Sequence, residues 1–283
     1  MKSIVLAGNP VKHSYSPLMH NAAFRALGLQ QEYEYSLLAL RSDELAGFVD
    51  SIEVGDFEGA NITIPHKQRI MVHLSEVTKQ AESIGSVNTL YREDERVVGC
   101  NTDMLGLLGV FRESEIKIEG ASAVVLGAGG AARSVVYALS SLKAGNILIY
   151  NRTLRKAREL VQDLEEFFST SLAAAIFPVR EDSLREYDLL LNCTPVGMKG
   201  HSVGETPIKK ELLRDDLVVM DLIYNPVETR LLKEANNVGC RTVDGIALLI
   251  QQGAISFEKW TGLKPPVDVM RNKLLKKLEA ESQ

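Results

Sequence analysis

The stretch ASAVVLGAGGAARSVVYALSSLKAGNILIYNRT, residues 121–153, decides the fold of this chain. The apolar run 121–126 predicts a strand, and the run 147–150 predicts a second, buried strand. Between them, residues 131–142 predict a helix that follows the glycine-rich turn 127–132. Strand, glycine-rich turn, helix and strand in this order indicate a βαβ unit with parallel strands.

The turn carries the pattern G-x-G-x-x-A, with Gly127, Gly129 and Ala132 at its defined positions. The first glycine permits a tight turn, the second lets the backbone approach a diphosphate, and a small third residue allows close helix–strand packing. An ordinary glycine-rich turn is the alternative, but the strand before it and the helix after it favour a dinucleotide site. Backbone N–H groups at the helix start would then face the phosphates. The candidate residues are Gly127, Ala128, Gly129, Gly130 and Ala131.

The end of the second strand indicates which dinucleotide binds. An NAD-selective site places Asp or Glu there, about 20 residues after the glycines, to accept from the ribose 2′-hydroxyl. This chain has Asn151, Arg152 and Thr153 instead, with Lys156 one helical turn further on. These groups suit a 2′-phosphate, which a carboxylate would repel. The sequence therefore predicts NADP (NADPH) rather than NAD; the alternative is that Arg152 is an ordinary solvated surface side chain.

The composition is that of a globular metabolic enzyme. Hydrophobic residues make up 45% of the 283 residues and charged residues 24%, with a net charge of −5. An acidic balance argues against a general nucleic-acid binder, which is usually basic. The sequence has no apolar run of signal-peptide form and none near the ~18 residues of a membrane helix, so we expect a cytoplasmic protein without a membrane partner.

The cysteines and histidines show no metal-ligand spacing. Cys100, Cys193 and Cys240 are odd in number and far apart, which favours free thiols in a reducing compartment. The histidines form no ligand pattern with one another or with cysteine, and we expect no metal site.

Strand-like and helix-like segments alternate along the chain, which predicts an α/β fold with mainly parallel sheets. A second unit is expected to start after residue 103. The closing helices 247–261 and 267–278 have no following strand to cross to, so we expect them to pack back on the N-terminal half. This predicts two domains, residues 1–103 with 246–283 and residues 104–245, the second of them Rossmann-like.

Two serines lie at the predicted start of the first helix. Ser16 precedes Pro17, which suits a helix N-cap followed by proline at the first helical position. That explanation accounts for Ser16 but not for Ser14. Two hydroxyls at a helix N-terminus can also bind a carboxylate, and a capping serine can still face a ligand.

Asn61 and Thr63 alternate with isoleucines, so they are expected on one face of a strand that Pro65 ends. Lys67 follows at the predicted start of a helix, where the dipole disfavours a cation. Such a local inconsistency is typical of functional sites and makes Lys67 an acid–base candidate. The alternatives are a solvated surface lysine, or His66 as the acid–base group.

Two further polar residues need a reason. Asp103 precedes a predicted helix, where an N-cap role is the ordinary explanation. Asn88 lies in an otherwise apolar strand, and a buried amide needs partners. It is therefore expected either to hold the backbone or to contact a ligand.

The chain resembles the shikimate dehydrogenase family from about Gly8 to Gly262. The resemblance rests on several separated motifs: GNPVKHSYSPLMHN (8–21), NITIPHK (61–67), GSVNT (85–89), NTD (101–103), GAGGAA (127–132), NRT (151–153), NCTPVGM (192–198), DLIYNP (221–226) and DGIALLIQQ (244–252).

The resemblance implies an enzyme that reduces 3-dehydroshikimate to shikimate with NADPH in aromatic amino-acid biosynthesis. Lys67 and Asp103 would be the catalytic pair, and Ser14, Ser16 and Tyr224 would hold the substrate carboxylate. The ring hydroxyls would bind Asn61, Thr63, Asn88 and Gln252. The cofactor site would add Thr194, Met198 and Gly245. Substrate would lie on the N-terminal domain and NADP on the Rossmann-like domain, in a monomer or a homodimer.

The chain departs from the family pattern at three positions: Ser86, Leu248 and Lys156. Lys156 replaces a common arginine and loses its bidentate fork, which would soften discrimination against NAD. The first alternative is a quinate/shikimate dehydrogenase with relaxed cofactor choice, although this chain lacks the acidic residue that NAD-using forms favour near Thr153. A non-catalytic nucleotide-dependent sensor is the second, and it should have lost Lys67 or Asp103.

Overall fold

The computed structural model describes residues 1–94, 96–180 and 184–282, and the chain divides into two compact units. The first unit is Met1–Gly106 with Ile250–Gln283, and the second is Leu107–Leu249. Both divisions fall inside continuous helices, a few residues beyond the boundaries expected after residues 103 and 245. The assignment of these units to substrate and NADP stays a prediction.

The two units contain twelve strands and nine α-helices in the described ranges. The strands are β1 (Lys2–Gly8), β2 (Tyr33–Ala39), β3 (Gly59–Ile62), β4 (Glu76–Val77), β5 (Thr89–Glu93), β6 (Arg96–Cys100), β7 (Ser122–Leu126), β8 (Asn146–Asn151), β9 (Ser171–Ile176), β10 (Leu189–Asn192), β11 (Val218–Asp221) and β12 (Arg241–Val243). The α-helices are α1 (Ser16–Ala26), α2 (Leu45–Glu53), α3 (Lys79–Ile84), α4 (Thr102–Glu113), α5 (Gly130–Ser141), α6 (Leu154–Glu165), α7 (Arg230–Val238), α8 (Gly245–Thr261) and α9 (Val267–Ser282). Short 3-10 helices lie at Ser42–Glu44, Arg69–His73 and Lys210–Leu212.

The first unit is built on a mixed six-stranded sheet in the order β2-β1-β3-β5-β6-β4. Strands β2, β1 and β3 are parallel, β5 runs antiparallel to β3, and β5 and β6 form the expected hairpin. Glu95, in the predicted turn of this hairpin, lies outside the described residues. One face of the sheet packs on α2 through Val5, Phe48 and Ile52. The prediction of mainly parallel pairing was thus only partly right here, because a hairpin imposes antiparallel strands.

The second unit is built on an all-parallel six-stranded sheet in the order β12-β11-β10-β7-β8-β9. From its other edge this is the third, second, first, fourth, fifth and sixth strand, which is the Rossmann order. The chain order reverses between β7 and β10, and ligands bind at the carboxyl ends of the strands at such a point. The central strands are buried on both faces, which explains their continuous apolar runs. The predicted α/β fold with a Rossmann-like unit is confirmed.

The closing helices pack back on the first unit, as the sequence predicted. Helix α9 lies against α1, and Tyr15 donates to Glu281 at 2.5 Å. Phe257 of α8 packs on Phe24 of α1, with ring centroids 5.0 Å apart. The N-terminal sheet therefore obtains part of its cover from the far end of the chain.

Within residues 1–94, 96–180 and 184–282, no helix has the length and apolar character needed to cross a membrane. The same described ranges contain no group of three or more His, Cys, Asp or Glu side chains placed to hold a metal ion.

The segment after β3 differs from the prediction. A helix was expected over residues 67–74, but the chain forms a turn and then the 3-10 helix Arg69–His73. The carbonyl of Lys67 accepts from the N–H of Val87 at 2.8 Å, so it is not used in a helical ladder. Lys67 therefore does not begin an α-helix, and the dipole argument for its function was wrong.

His20 lies in a closed aromatic cluster of the first unit and is fully buried. Its ring stacks on Tyr35 at 4.4 Å and meets the edge of Trp260 at 5.3 Å. Neither ring nitrogen has a hydrogen-bond partner among the described residues. Burial lowers the pKa of His20 from 6.5 to about 3, so the ring is neutral in the folded state.

This burial predicts acid sensitivity. Below pH 6.5 the unfolded chain takes up a proton at His20 that the folded chain excludes down to about pH 3. Stability is therefore lost as the pH falls through this window, by about 3 kcal/mol between pH 7.5 and pH 4. A His20→Phe variant should lose that much less over the same window, measured by urea unfolding at both pH values. Equal losses in the variant and the original chain would contradict this assignment.

Candidate active site

Lys67 and Asp103 form a close ion pair in the first unit. Nζ of Lys67 lies 2.5 Å from Oδ2 of Asp103, and the two side chains are only 17% and 11% exposed. Lys67 is in the turn after β3, and Asp103 is in the first turn of α4. A lysine held in this way can give or take a proton at a substrate oxygen, while the carboxylate keeps it in place.

The ordinary explanation for Asp103 does not hold. Asn101 caps α4 instead, because its Oδ1 accepts from the N–H of Met104 at 2.9 Å. Asp103 lies within the helix, and its carboxylate accepts from Lys67 and from Asn88. The alternative of a capping role is therefore excluded, and the side chain serves the ion pair.

Asn88 orients the carboxylate of Asp103 by donating to the oxygen that does not contact Lys67. Its Oδ1 accepts from the N–H of Thr102 at 2.7 Å, which sets the direction of the amide. Its Nδ2 consequently points at Oδ1 of Asp103, at 2.9 Å. The same nitrogen lies 3.4 Å from Oε1 of Gln252 on α8. Asn88 thus holds the backbone and also adjoins the candidate site.

Asn61 belongs to a buried network that the sequence did not reveal. Its Oδ1 accepts from the hydroxyl of Tyr35 at 2.7 Å, and its Nδ2 donates to Thr89 at 3.0 Å and Ser256 at 3.1 Å. The hydroxyls of Thr89, Ser256 and Thr102 lie within 3.1 Å of one another, and all three residues are fully buried. The sequence signal that could have indicated this network is that its polar residues lie within otherwise apolar segments.

Ser14 and Ser16 lie together at the start of α1. The hydroxyl of Ser14 is 3.2 Å from that of Ser16 and accepts from the Ser16 N–H at 3.3 Å. Ser16 is the first helical residue, and its side chain makes no capping bond, so the predicted cap was wrong by one position.

Thr63 follows β3, and its N–H donates to the carbonyl of Ala7 at 2.9 Å.

His66 is a structural residue here. It is 1% exposed, and its Nε2 lies 2.7 Å from the carbonyl oxygen of Leu40. That contact ties the turn after β3 to the end of β2. The geometry favours Lys67 over His66 as the acid–base group.

In the second unit the glycine-rich loop lies at the reversal point between β7 and β10. Gly127 has φ of +109°, and a Cβ there would lie 3.2 Å from the backbone of Cys193. A Cβ at Gly129 would meet open space, and Gly129 is exposed just before α5 begins. Ala132 is fully buried. The loop is thus tight on its protein side and open at the helix N-terminus, where a diphosphate fits.

Two exposed cationic side chains, Arg152 and Lys156, lie just after the end of β8. Asn151 donates from Nδ2 to the carbonyl of Thr153 at 2.9 Å, which shapes the turn before α6. Arg152, Thr153 and Lys156 are exposed. Among the described residues, Arg152 and Lys156 have no carboxylate partner, whereas Arg155 pairs with Glu159 at 3.2 Å. The two unpaired cations suit a 2′-phosphate.

The other predicted residues of the second unit lie on loops after β10, β11 and β12. Thr194 and Met198 follow β10, Tyr224 follows β11, and Gly245 begins α8. Asp221, at the end of β11, was missed by sequence reasoning. It is fully buried, and burial raises its pKa from 3.8 to about 6 although three neighbours donate to it.

The Rossmann strand order, the open glycine loop and the buried lysine–carboxylate pair define a nicotinamide-dependent oxidoreductase. The family models that match are "Shikimate dehydrogenase substrate binding domain" (residues 6–90), "Shikimate / quinate 5-dehydrogenase" (111–247) and "Shikimate 5'-dehydrogenase C-terminal domain" (245–275). The chain belongs to the shikimate dehydrogenase family.

Proteins of similar sequence and structure align with this chain over nearly its whole length. The shikimate dehydrogenase (NADP(+)) of Methanocaldococcus jannaschii is 42% identical over 98% of this chain and 97% of its own. A shikimate dehydrogenase solved in complex with NADP+ aligns with a TM-score of 0.87 and 40% identity, covering 98% of this chain and 96% of that one. The quinate dehydrogenase of Corynebacterium glutamicum, solved with NAD, has a TM-score of 0.87 at 30% identity, covering 97% and 99%.

Proposed function

We propose that this chain is an NADP-dependent shikimate dehydrogenase, which reversibly reduces 3-dehydroshikimate to shikimate with NADPH in aromatic amino-acid biosynthesis. The observation that carries this proposal is the Lys67–Asp103 pair, held at 2.5 Å in a chain of this family. Nicotinamide, when bound, supplies the hydride. The protein must then supply orientation and a proton.

Lys67 is assigned the proton transfer. Its ammonium donates to the oxygen of the substrate carbonyl as that oxygen gains charge, and it accepts the proton back in the reverse direction. Asp103 keeps the ammonium in place, and Asn88 keeps the carboxylate in place. The proton donor is therefore fixed before substrate arrives, which lowers the cost of reaching the reactive geometry.

The remaining polar residues of the first unit are assigned to the substrate. The paired hydroxyls of Ser14 and Ser16 at the α1 N-terminus suit its carboxylate. Thr63, Asn88 and Gln252 suit its ring hydroxyls, because a site built from neutral donors and acceptors rejects analogues that lack a hydroxyl. Asn61 is assigned the same role, although its amide already bonds to Tyr35, Thr89 and Ser256. Tyr224 lies in the second unit, and its contribution to the carboxylate stays a prediction.

The second unit is assigned to NADP. Residues Gly127–Ala131 would cradle the diphosphate, and Asn151, Arg152, Thr153 and Lys156 would meet the 2′-phosphate. Thr194, Met198 and Gly245 would line the nicotinamide side. The open space at Gly129 and the two unpaired cations support this fit.

Initial rates would test the proposal most directly. They are measured for shikimate and for quinate, each with NADP+ and with NAD+. We expect shikimate with NADP+ to have the highest kcat/KM. A highest value for quinate with NAD+ would replace the proposal by its first alternative.

The two alternative functions differ in how well the structure and the comparisons support them. A quinate/shikimate dehydrogenase with relaxed cofactor choice is supported by Lys156, a point charge without an arginine fork, and by the similarity to a quinate dehydrogenase solved with NAD. A non-catalytic sensor is disfavoured by the intact Lys67–Asp103 pair. Binding of NADPH and shikimate without turnover would support the sensor.

Arg152 is expected to select the cofactor. An Arg152→Ala variant should raise the KM for NADP+ about tenfold and change that for NAD+ less than twofold, because a charge-assisted bond to phosphate is worth about 1.5–3 kcal/mol. Steady-state kinetics with both cofactors measure this ratio.

Arg155→Ala is the matched control for Arg152→Ala. It removes another exposed arginine in the same segment, but one that pairs with Glu159. Its ratio of KM values should be unchanged. Equal effects of Arg152→Ala on both cofactors would show that Arg152 does not contact the 2′-phosphate.

Location and assembly stay predictions. The three free cysteines support a reducing compartment such as the cytoplasm. The chain is proposed to act as a monomer or a homodimer.

A further inference from the structure

The loops after β10 and β11 and the start of α7 are joined by one buried carboxylate, that of Asp221. Asp221 ends β11 and lies directly beside Asn192, the last residue of β10, in the parallel register. Its Oδ1 accepts from Nδ2 of Asn192 at 3.0 Å and from the N–H of Ile223 at 3.1 Å. Its Oδ2 accepts from the hydroxyl of Thr229 at 2.7 Å.

Each of these neighbours can act only as a donor toward Asp221. Oδ1 of Asn192 already accepts from the N–H and the hydroxyl of Thr194, at 3.0 and 2.7 Å, so its Nδ2 faces Asp221. Thr229 caps α7 by accepting from the N–H of Leu232 at 3.3 Å, so its hydroxyl proton points to Asp221. A carboxylate, which is an acceptor at both oxygens, is the side chain that fits these donors.

The groups held by Asp221 include the loops that carry the predicted nicotinamide-side residues. Thr194 is bonded to Asn192, and the loop that carries Met198 is joined to the β11 loop by the bond from Lys199 N–H to Asn225 C=O at 2.8 Å. The carbonyl of Ile223 accepts from Gly245 N–H at 3.3 Å. A Cβ at Gly245 would lie 2.6 Å from that carbonyl, so the start of α8 packs directly on this loop.

Within the described ranges, Asp221 does not stabilise the fold as a member of an ion pair. The residue is fully buried and has no cationic partner among the described residues. A buried carboxylate stabilised only by neutral donors is costly to stability. Asp221 lies at the carboxyl edge of the sheet, where ligands of such folds bind, and a costly buried charge at this edge calls for a functional reason.

We propose that Asp221 is a positioning residue: through Asn192 and Ile223 it holds Thr194, the Met198 loop and Gly245 in the arrangement that orients the nicotinamide ring for hydride transfer. This inference rests on the proposed function. Asp221 is fully buried, so in this proposal it acts through these neighbours and not by contact with substrate or cofactor. The adenosine half of the site, at Gly127–Ala131 and Arg152, has no hydrogen bond to Asp221 among the described contacts.

Asp221→Asn and Asn192→Ala test the proposal. The first replaces an acceptor oxygen by a donor without changing shape, and the second keeps Asp221 but cuts its link to Thr194. Two quantities are measured: the single-turnover rate of NADPH oxidation at saturating 3-dehydroshikimate, and the Kd of 2′-phospho-ADP-ribose, which is NADP without nicotinamide. We expect both variants to lose at least tenfold in rate while the Kd changes less than threefold.

Ser122→Ala is the matched control. Ser122 donates to Asn146 at 2.5 Å, a bond between side chains of neighbouring strands at the amino edge of the same sheet. Both measured quantities should stay within threefold of the original chain in this variant. A loss here as large as in the other two would show that any weakened sheet slows turnover.

The possible results distinguish a failure of the positioning role from a failure of the proposed function. A rate within threefold in either variant, or a rate and an affinity that fall together, overturns the positioning role. Two variants that do not fold also overturn it, because the side chains would then act on the sheet as a whole. If the original chain neither binds NADP+ nor turns over, it is the proposed function that fails.

Discussion

Replacement of Lys67 by alanine is expected to lower kcat by about 10²–10⁴-fold, the usual contribution of a positioned acid–base group. Without the ammonium, the substrate oxygen must take its proton from the solvent. Binding of shikimate should weaken only modestly, because the hydroxyl and carboxylate contacts assigned to other residues remain. Steady-state rates and the Kd of shikimate, measured by fluorescence or calorimetry, give the two values separately.

The neighbouring histidine is the matched control for Lys67. His66→Gln removes the rival acid–base group beside it, whose ring nitrogen contacts the carbonyl of Leu40. This variant should lose stability, seen as a lower midpoint of urea unfolding, and retain most of its kcat. A Lys67→Ala enzyme with intact kcat, together with an inactive His66→Gln enzyme, would transfer the acid–base role to His66.

Asp103→Asn is expected to have the second largest effect, a loss of about 10- to 1,000-fold in kcat. The carboxylate accepts from Lys67 at one oxygen and from Asn88 at the other. An amide must place its NH₂ group against one of these donors, so either the lysine or Asn88 loses its partner. Breaking a buried pair in this way leaves the remaining charge poorly compensated. The kinetic constants for shikimate oxidation with NADP+ measure the loss.

Glu58→Gln provides the comparison for Asp103. Glu58 pairs with Lys2 at 2.9 Å in the same unit, but Lys2 is half exposed, and neither Lys2 nor Glu58 makes a hydrogen bond to Lys67, Asp103 or Asn88 in the part of the chain that the structure describes. Such exposed pairs contribute about 0–1 kcal/mol to stability. Its removal should leave kcat unchanged. Normal kinetics in Asp103→Asn would remove Asp103 from the catalytic pair.

The features that sequence predicted well are those with a local cause. The glycine loop follows from strand, turn and helix periodicity within one 33-residue stretch, and Gly127 has φ of +109°, which suits the tight turn expected there. The absence of a carboxylate after β8 is likewise visible in three consecutive residues, and the similar proteins named for NADP(+) confirm the cofactor class. Local backbone geometry needs no distant partner to be inferred.

The failures of sequence reasoning share a different cause. The helix expected at Lys67 and the cap expected from Ser16 were wrong, and the ordinary capping explanation for Asp103 did not hold. A competing partner decided two of these cases: the N–H of Val87 donates to the carbonyl of Lys67, and Asn101 caps α4. The boundaries of helices and strands depend on such contacts, and the helix or strand propensities of the residues do not determine them.

The sequence by itself determined the α/β class, the Rossmann-like unit, the family and the choice of NADP, because these follow from periodic patterns and contiguous motifs. The family resemblance already implied the Lys67–Asp103 pair, but only the tertiary structure decided the distances and the other polar contacts. Lys67 and Asp103 are 36 residues apart in the chain, and Asn61 and Ser256 are 195 apart, yet each pair is within hydrogen-bonding distance. The same holds for Asp221, whose donors come from the end of a strand, a loop and the N-cap of a helix. The physical reason is that a hydrogen bond needs about 3 Å and a defined direction, which sheet order and helix packing set and residue spacing does not.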